Sequence, residues 1–329
     1  MIPTNLITGF LGVGKTTLIR AMLRAKPVHL RWAIIVNEFG EVPIDGALLS
    51  EDAPDEVSIR EIDGGCVCCT TAPFFHAALY MLLRDEKPDR VLIETTGLGH
   101  PARMLDALRM PSYADKIHLG PTICVVAPSD FAEREFRAGP VFLDQMHLAD
   151  VLVLNKCDEA SPELQAEFLQ WGQALDPPKL LVTTTQQGQF NLAWLNLEGA
   201  AVRTALFPEA HAHHHVNDNA VSLRPPPKPG NPLCLPSEGQ GQRACGWIFA
   251  TGDVFDTTKL IAYLDGLDGV TRLKGLFHTE NEWISVNRAG AKATITPTNY
   301  RRDSRVEIFE GTMPLDWSTI EAGLKRCLR

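Results

Sequence analysis

The chain has 329 residues, 45% of them hydrophobic and 22% charged, which suffices for two folded units at ~150 residues each and excludes disorder throughout. Its longest apolar runs, such as 33–36 and 151–154, fall far below the ~20 residues that span a bilayer, so an integral membrane protein is not expected. Forty acidic against 31 basic residues give a net charge of -9, which argues against neutralising nucleic-acid phosphates as the main task.

In chain order, apolar runs predict strands at 5–8, 32–37, 57–62, 90–95, 123–127, 151–155 and 179–183. Between them, 3.6-residue periodicity predicts helices at 16–24, 73–84, 102–109 and 162–175. Strands alternating with helices are the signature of βαβ units, and continuously apolar strands are those of a parallel sheet covered on both faces. An α/β, doubly wound, mainly parallel sheet is expected over 1–205. Next comes a polar stretch carrying His211, His213, His214 and His215 and then Pro225-Pro226-Pro227, read as a linker over 206–242. Periodicity returns over 243–329, with strands at 246–250, 270–277, 283–286, 293–296 and 306–309 and helices at 256–264 and 316–327. That is a second, smaller α+β domain.

The run Gly9-Phe10-Leu11-Gly12-Val13-Gly14-Lys15-Thr16-Thr17 satisfies G-x-x-x-x-G-K-[ST] between a strand and a helix, the position a phosphate-binding P-loop requires. Its glycines let backbone N–H groups converge on phosphate oxygens at a helix N-terminus, where the dipole favours negative charge. Lys15 would neutralise the outer phosphates and Thr16 would ligate Mg²⁺. Ile93-Glu94-Thr95-Thr96-Gly97 ends an apolar strand where P-loop NTPases carry an acidic residue. There Glu94 would hold the metal's water shell or orient the attacking water, and the Gly97 N–H would sense the γ-phosphate. Asn155-Lys156-Cys157-Asp158 matches N-K-x-D, whose Asp accepts hydrogen bonds from guanine N1–H and its exocyclic amine. Adenine offers no such donor pair, so GTP is expected over ATP.

Three of the eight cysteines fall within four residues, at Cys66, Cys68 and Cys69, after Gly64-Gly65. A disulfide framework would be spread out, and the start has no basic segment followed by an apolar core, so reduced thiols in a cytoplasm are expected. Three thiolates so close suit an incomplete metal site, completed by another group or water and able to release its ion.

These residues together, with Val36-Asn37-Glu38-Phe39-Gly40-Glu41, resemble the CobW-type P-loop GTPases, relatives of the metallochaperones of urease and hydrogenase maturation. The resemblance covers almost the whole chain, including the His-rich linker and a CobW-like carboxyl-terminal domain. It implies a GTPase that binds Zn²⁺, or Co²⁺, through Cys66, Cys68 and Cys69 and couples nucleotide state to metal delivery. It also implies a switch-like segment at 37–45, with Glu38 and Glu41 as contacts to metal or water. One departure is Thr96, where a Ser often stands; the hydroxyl is kept. The expected partners are GTP and GDP, a divalent transition metal, and a metalloprotein client or metal-cofactor biosynthesis enzyme, with no nucleic acid and no membrane; a homodimer is left open. No arginine finger can be named, so slow intrinsic hydrolysis is expected.

Two rivals bear on the same residues. A P-loop kinase would prefer ATP, against which N-K-C-D speaks. A non-enzymatic metal buffer or sensor would hold GTP only as a structural group. The linker histidines read equally as metal captors or as solvated residues. Trp247, Trp283 and Trp317 read as core or interface anchors, and Cys124, Cys157, Cys234, Cys245 and Cys327 as packing or incidental residues.

Overall fold

The computed structural model describes residues 1–10, 12–37, 49, 57–62, 72–95, 101–198, 203–206, 226–239, 242–289, 293–298, 300–311 and 313–329. The chain divides into two compact units. Among the described residues no helix is long and apolar enough to cross a membrane.

The first unit runs β1 (Ile2–Thr8), α1 (Lys15–Ala25), β2 (Trp32–Asn37), β3 (Val57–Ile62), α2 (Ala72–Met81), β4 (Arg90–Glu94) and α3 (Pro101–Leu108). It continues with β5 (Ile117–Leu119), β6 (Ile123–Val126), α4 (Pro128–Ala132), α5 (Arg134–Arg137), α6 (Pro140–Leu148), β7 (Val151–Leu154), α7 (Pro162–Gln173) and β8 (Leu181–Thr184). The sheet order is β3-β2-β4-β1-β6-β7-β8, with β5 pairing β1 as an eighth strand, and every one of these pairings is parallel. The βαβ alternation in the sequence therefore produces the doubly wound sheet it predicts. Buried parallel strands need side chains that tolerate enclosure on both faces, and Leu6, Ile7, Ile34, Ile35, Leu92, Ile93, Val153 and Leu154 are fully buried.

Helices attach through one apolar stripe each. In α1, Leu18, Ile19, Met22 and Leu23 are buried at the spacing of one face. Helix α7 starts where Ser161 caps it, its side chain accepting from the Leu164 N–H at 3.2 Å, with Pro162 pre-set for the first turn. One core joins β1, β2 and β4 to Phe75 and Leu79 of α2 and Met104 and Leu105 of α3. A second joins β6 and β7 to Phe131, Phe142, Met146 and Phe168. Helix α2 passes into a single π turn at Leu82–Glu86, whereas the periodicity predicts regular helix to 84.

The second unit is a six-stranded antiparallel sheet in the order β13-β12-β11-β14-β10-β9. Its elements are β9 (Leu233–Gly239), β10 (Gln242–Ile248), α8 (Thr257–Asp265), β11 (Val270–His278), β12 (Trp283–Ala289), β13 (Ala293–Pro297), β14 (Arg305–Glu310) and α9 (Trp317–Arg326). Trp247, Leu273, Phe277, Val306 and Ile308 from the sheet, with Phe249 just beyond β10, share a core with Leu260 and Leu264 of α8 and Ile320 and Leu324 of α9. Asp256 and Asp316 cap the two helices, accepting from the N–H groups of Lys259 and Ser318 at 3.0 Å each. Strand β9 lies inside the stretch read from the sequence as linker. Pro236 in its middle breaks the strand signal, yet β9 is an edge strand, where a missing donor on the solvent side is tolerated.

Candidate functional site

In a parallel sheet the loops that follow adjacent strands meet at the carboxyl edge, and β4, β1, β6 and β7 are consecutive neighbours. The P-loop leaves β1 at Gly9, with φ 139; a Cβ there would stand 2.2 Å from the Val125 carbonyl oxygen of β6, so only glycine lets the chain pass so close. Gly14 closes the loop at φ 95, and a Cβ on it would stand 2.4 Å from Asn155 Nδ2. Phe10 anchors the loop by packing on Phe136 and Phe142, with ring centroids 4.6 and 6.0 Å away.

Lys15 opens α1, and Gly14 provides no side-chain cap for its first turn. The uncapped N–H groups and the positive end of the helix dipole form a site suited to an anion. The Lys15 ammonium donates to the carbonyls of Gly9 and Phe10, at 3.0 Å each, and so stays over the loop. One residue on, the Thr16 hydroxyl donates to Glu94 Oε1 at 3.0 Å. Glu94 ends β4 and is only 3% exposed. A hydroxyl and a carboxylate held together beside a lysine are the hard oxygen donors that Mg²⁺ prefers.

Among the described residues, the hydroxyls of Thr8 and Thr95 and Oδ2 of Asp130 are buried with no hydrogen-bond partner. They follow or end β1, β4 and β6, so unmet hydrogen-bonding capacity gathers at the same sheet edge. Burial pushes the Asp130 carboxyl up to about 6, against the opposing pull of the Ser129 hydroxyl and the positive charges of Lys156 and Lys15, with Glu133 adding to the rise. Beneath the loop, burial pushes the Cys124 thiol up to about 12, and it serves as a packing residue of the core around β6 and β7.

Asn155 follows β7 and links three segments. Its Nδ2 donates to the Val13 carbonyl at 2.8 Å, and its Oδ1 accepts from the Gly188 N–H at 3.3 Å. Lys156 is left-handed at φ 57 and turns the chain into a tight 3-10 turn at Cys157–Glu159, where the Cys157 N–H donates to the Thr185 carbonyl at 3.0 Å. Asp158 stands exposed on that turn, so the carboxylate that the sequence pattern assigns to base reading faces solvent.

The structure thus brings together Gly9, Gly12, Val13, Gly14, Lys15, Thr16, Thr17, Glu94, Asn155 and Lys156, with Asp158 on the adjoining turn. Gly97, Cys66, Cys68, Cys69, Glu38, Glu41 and the linker histidines lie outside the described residues. Among the described residues no group of three or more His, Cys, Asp or Glu is arranged to hold a metal. Two participants carry no motif that sequence reading would catch. One is the loop after β8, where Thr185 and Gly188 buttress Asn155-Lys156-Cys157-Asp158; its only signal is its place behind the last parallel strand. The other is Asp130, which stands just beyond β6, the strand next to the P-loop strand.

Residues 3–182 match the family profile described as CobW/HypB/UreG, nucleotide-binding domain, and residues 244–328 match the cobalamin synthesis protein cobW C-terminal domain. The zinc chaperone YeiR of Escherichia coli (strain K12) is 37% identical over 325 residues, covering 98% of this chain and 97% of its own length. The zinc chaperone CobW of a Sinorhizobium species is 34% identical over 182 residues, 48% of this chain and 51% of that protein. Among solved structures, Zn(II)-bound YjiA GTPase from E. coli aligns over 100% of this chain and 99% of its own, with 17% identity and a TM-score of 0.43.

Proposed function

Since the chain belongs to the CobW/HypB/UreG family, we propose that it binds and hydrolyses GTP and couples hydrolysis to delivery of a divalent metal, zinc before cobalt, to a client protein. The observation that carries this reading is the Thr16–Glu94 hydrogen bond beside Lys15 at the mouth of the P-loop. The P-loop N–H groups and the Lys15 ammonium hold the phosphates. The Thr16 hydroxyl and Glu94 would hold Mg²⁺, which supplies charge neutralisation at the phosphates. Glu94 also orients the attacking water, the Gly97 N–H meets the γ-phosphate, and Asn155, Lys156 and Asp158 read guanine. The zinc chaperones named above support zinc as cargo.

Cys66, Cys68 and Cys69 carry the cargo metal in this reading. Support comes from the strand before them: Ile62 at the end of β3 is in register with Asn37 of β2, and Val36 with Glu94 of β4. The chain therefore leaves β3 at the carboxyl edge, two strand spacings or ~10 Å from the strand that ends in Glu94, and reaches Cys66 four residues later. A switch segment after β2, held by γ-phosphate and released on hydrolysis, would change the ligands around the thiolates.

Metal titrations of the nucleotide-free, GTP-analogue and GDP forms test the coupling. The GTP-analogue form should bind zinc most tightly, and equal affinity in all three removes the coupling. Lys15→Ala should abolish hydrolysis and delivery together. If delivery to a client persists without hydrolysis, a metal buffer with structural GTP takes its place.

A further inference from the structure

The sulfurs of Cys234 on edge strand β9 and Cys245 on β10 lie 3.3 Å apart. The antiparallel register sets Cys234 opposite Trp247 and Cys245 opposite Pro236, so the two cysteines are diagonal neighbours on one face of the sheet. On that face Cys245 is fully buried beside Trp247 and Phe249, whereas Cys234 is exposed. A disulfide is about 2.05 Å long, so closure asks the sulfurs to approach by roughly 1.2 Å, and because diagonal neighbours stand ~7 to 8 Å apart it also draws the edge strand toward β10 by a small backbone shift, with no change of register. A metal is the other occupant two thiols invite. Here no third His, Cys, Asp or Glu among the described residues completes a ligand set.

We propose that Cys234 and Cys245 form a redox pair, a dithiol that a low-molecular-weight disulfide converts into a cross-strand disulfide tying β9 to β10. In the first step the exposed Cys234 thiolate attacks the disulfide RSSR, forming Cys234–S–SR and releasing RS⁻, which takes up a proton. In the second, Cys245 loses its proton and attacks the Cys234 sulfur, displacing a second RS⁻. The protein dithiol is oxidised by two electrons, RSSR is reduced to two RSH, and the two protons of the protein thiols end on the leaving thiols. The division of labour follows from exposure: Cys234 meets the oxidant, and Cys245, shielded from it, resolves the mixed disulfide by proximity. The product cross-links the edge strand, which the β10 ladder alone otherwise holds in the sheet.

The test uses the full chain under native conditions, reduced, desalted and equilibrated with mixtures of reduced and oxidised glutathione. It is then quenched in acid, alkylated and digested with trypsin without reduction. Trypsin cuts after Arg243, between the two cysteines, so the disulfide appears as two joined peptides with the mass of their sum less two hydrogens. The expected result is this cross-linked species rising with oxidised glutathione and vanishing with dithiothreitol, with both thiols lost to alkylation together. Cys245→Ala should stop at the Cys234 mixed disulfide, and Cys234→Ser, a surface change that spares the core, should leave Cys245 free of glutathione. If wild-type Cys234 accumulates as a glutathione mixed disulfide while Cys245 remains a thiol, or if Cys234 pairs with a different cysteine, the proposal is overturned. Should Cys245→Ala fail to fold, the wild-type map and Cys234→Ser decide the matter alone.

Discussion

Asn155 and Gly14 meet at the centre of the nucleotide unit, and a double-mutant cycle between them tests how the P-loop is held. Asn155 is 2% exposed and satisfies the Val13 carbonyl and the Gly188 N–H. Asn155→Ala strips the partner from two buried backbone groups, a loss of about 2–6 kcal/mol at 1–3 for each group left unmet. Gly14→Ala places a residue with a Cβ at φ 95, which costs about 1–2 kcal/mol. It also sets that Cβ 2.4 Å from Asn155 Nδ2, so the amide must yield and its two bonds weaken, for about 1–2 kcal/mol more. With Asn155 already truncated, the second part of the Gly14→Ala penalty disappears. The double variant should therefore be less destabilised than the sum of the singles by about 1–2 kcal/mol. Urea denaturation provides the free energies, with hydrogen exchange of β1 and β7 identifying the transition that belongs to the first unit. Additivity within about 0.5 kcal/mol would refute the claim that Asn155 is the contact that forbids a side chain at position 14.

Three further outcomes are expected. The Asp130 carboxyl is raised to about 6 from 3.8, so the native state holds its proton more tightly than the unfolded chain does. This group's contribution to stability is complete below pH 4 and falls by up to about 3 kcal/mol as pH rises through 6; Asp130→Asn should flatten the pH–stability curve over that window, and an unchanged slope would show that Asp130 does not cause it. Arg203 and Asp150 form a buried ion pair, each side chain 4% exposed, and Arg203 also donates to the carbonyls of Ala149 and Pro178. Arg203→Ala should cost about 3–5 kcal/mol in denaturation because the buried Asp150 carboxylate loses the guanidinium it faces, and a loss below 1 kcal/mol would mean that water or the nearby Lys179 ammonium takes its place. Glu94→Gln retains an acceptor for the Thr16 hydroxyl and removes the charge, so the fold should persist while GTP hydrolysis falls by about 10²-fold or more. Hydrolysis near the wild-type rate would take Glu94 out of the chemistry.

The fold was legible wherever burial on both faces forced a continuous apolar run. Ile34-Ile35-Val36 and Val151-Leu152-Val153-Leu154 admit hardly any other reading, and they are β2 and β7. Legibility failed where position in the sheet, and not composition, decides the outcome. Strand β5 is three residues long and exists because β1 offers it a partner. Strand β9 contains Pro236 and is a strand because it sits at an edge. Helices α4, α5 and α6 follow β6 as pieces of nine residues or fewer, each bounded by a proline or a turn, and periodicity over so short a window is weak.

The site divides along the same line. Motif residues show in the sequence because a phosphate loop demands glycine where a Cβ would strike the neighbouring strand, and Gly9 against Val125 is that demand in atomic form. Asp130 and Gly188 answer no such fixed geometry. They matter because β6 neighbours β1 and because the loop behind β8 folds back onto Asn155, and strand order is a property of the whole sheet. The consequence is electrostatic as well as steric. Lys15 and Lys156 lie 141 positions apart in the chain, yet both act on the carboxyl of Asp130, so the phosphate end and the N-K-C-D turn share one field. A change of charge at either lysine should therefore be felt at Asp130. Lys156→Gln removes one of the two cations that hold its carboxyl down, and should move the Asp130-dependent part of the pH–stability curve to higher pH.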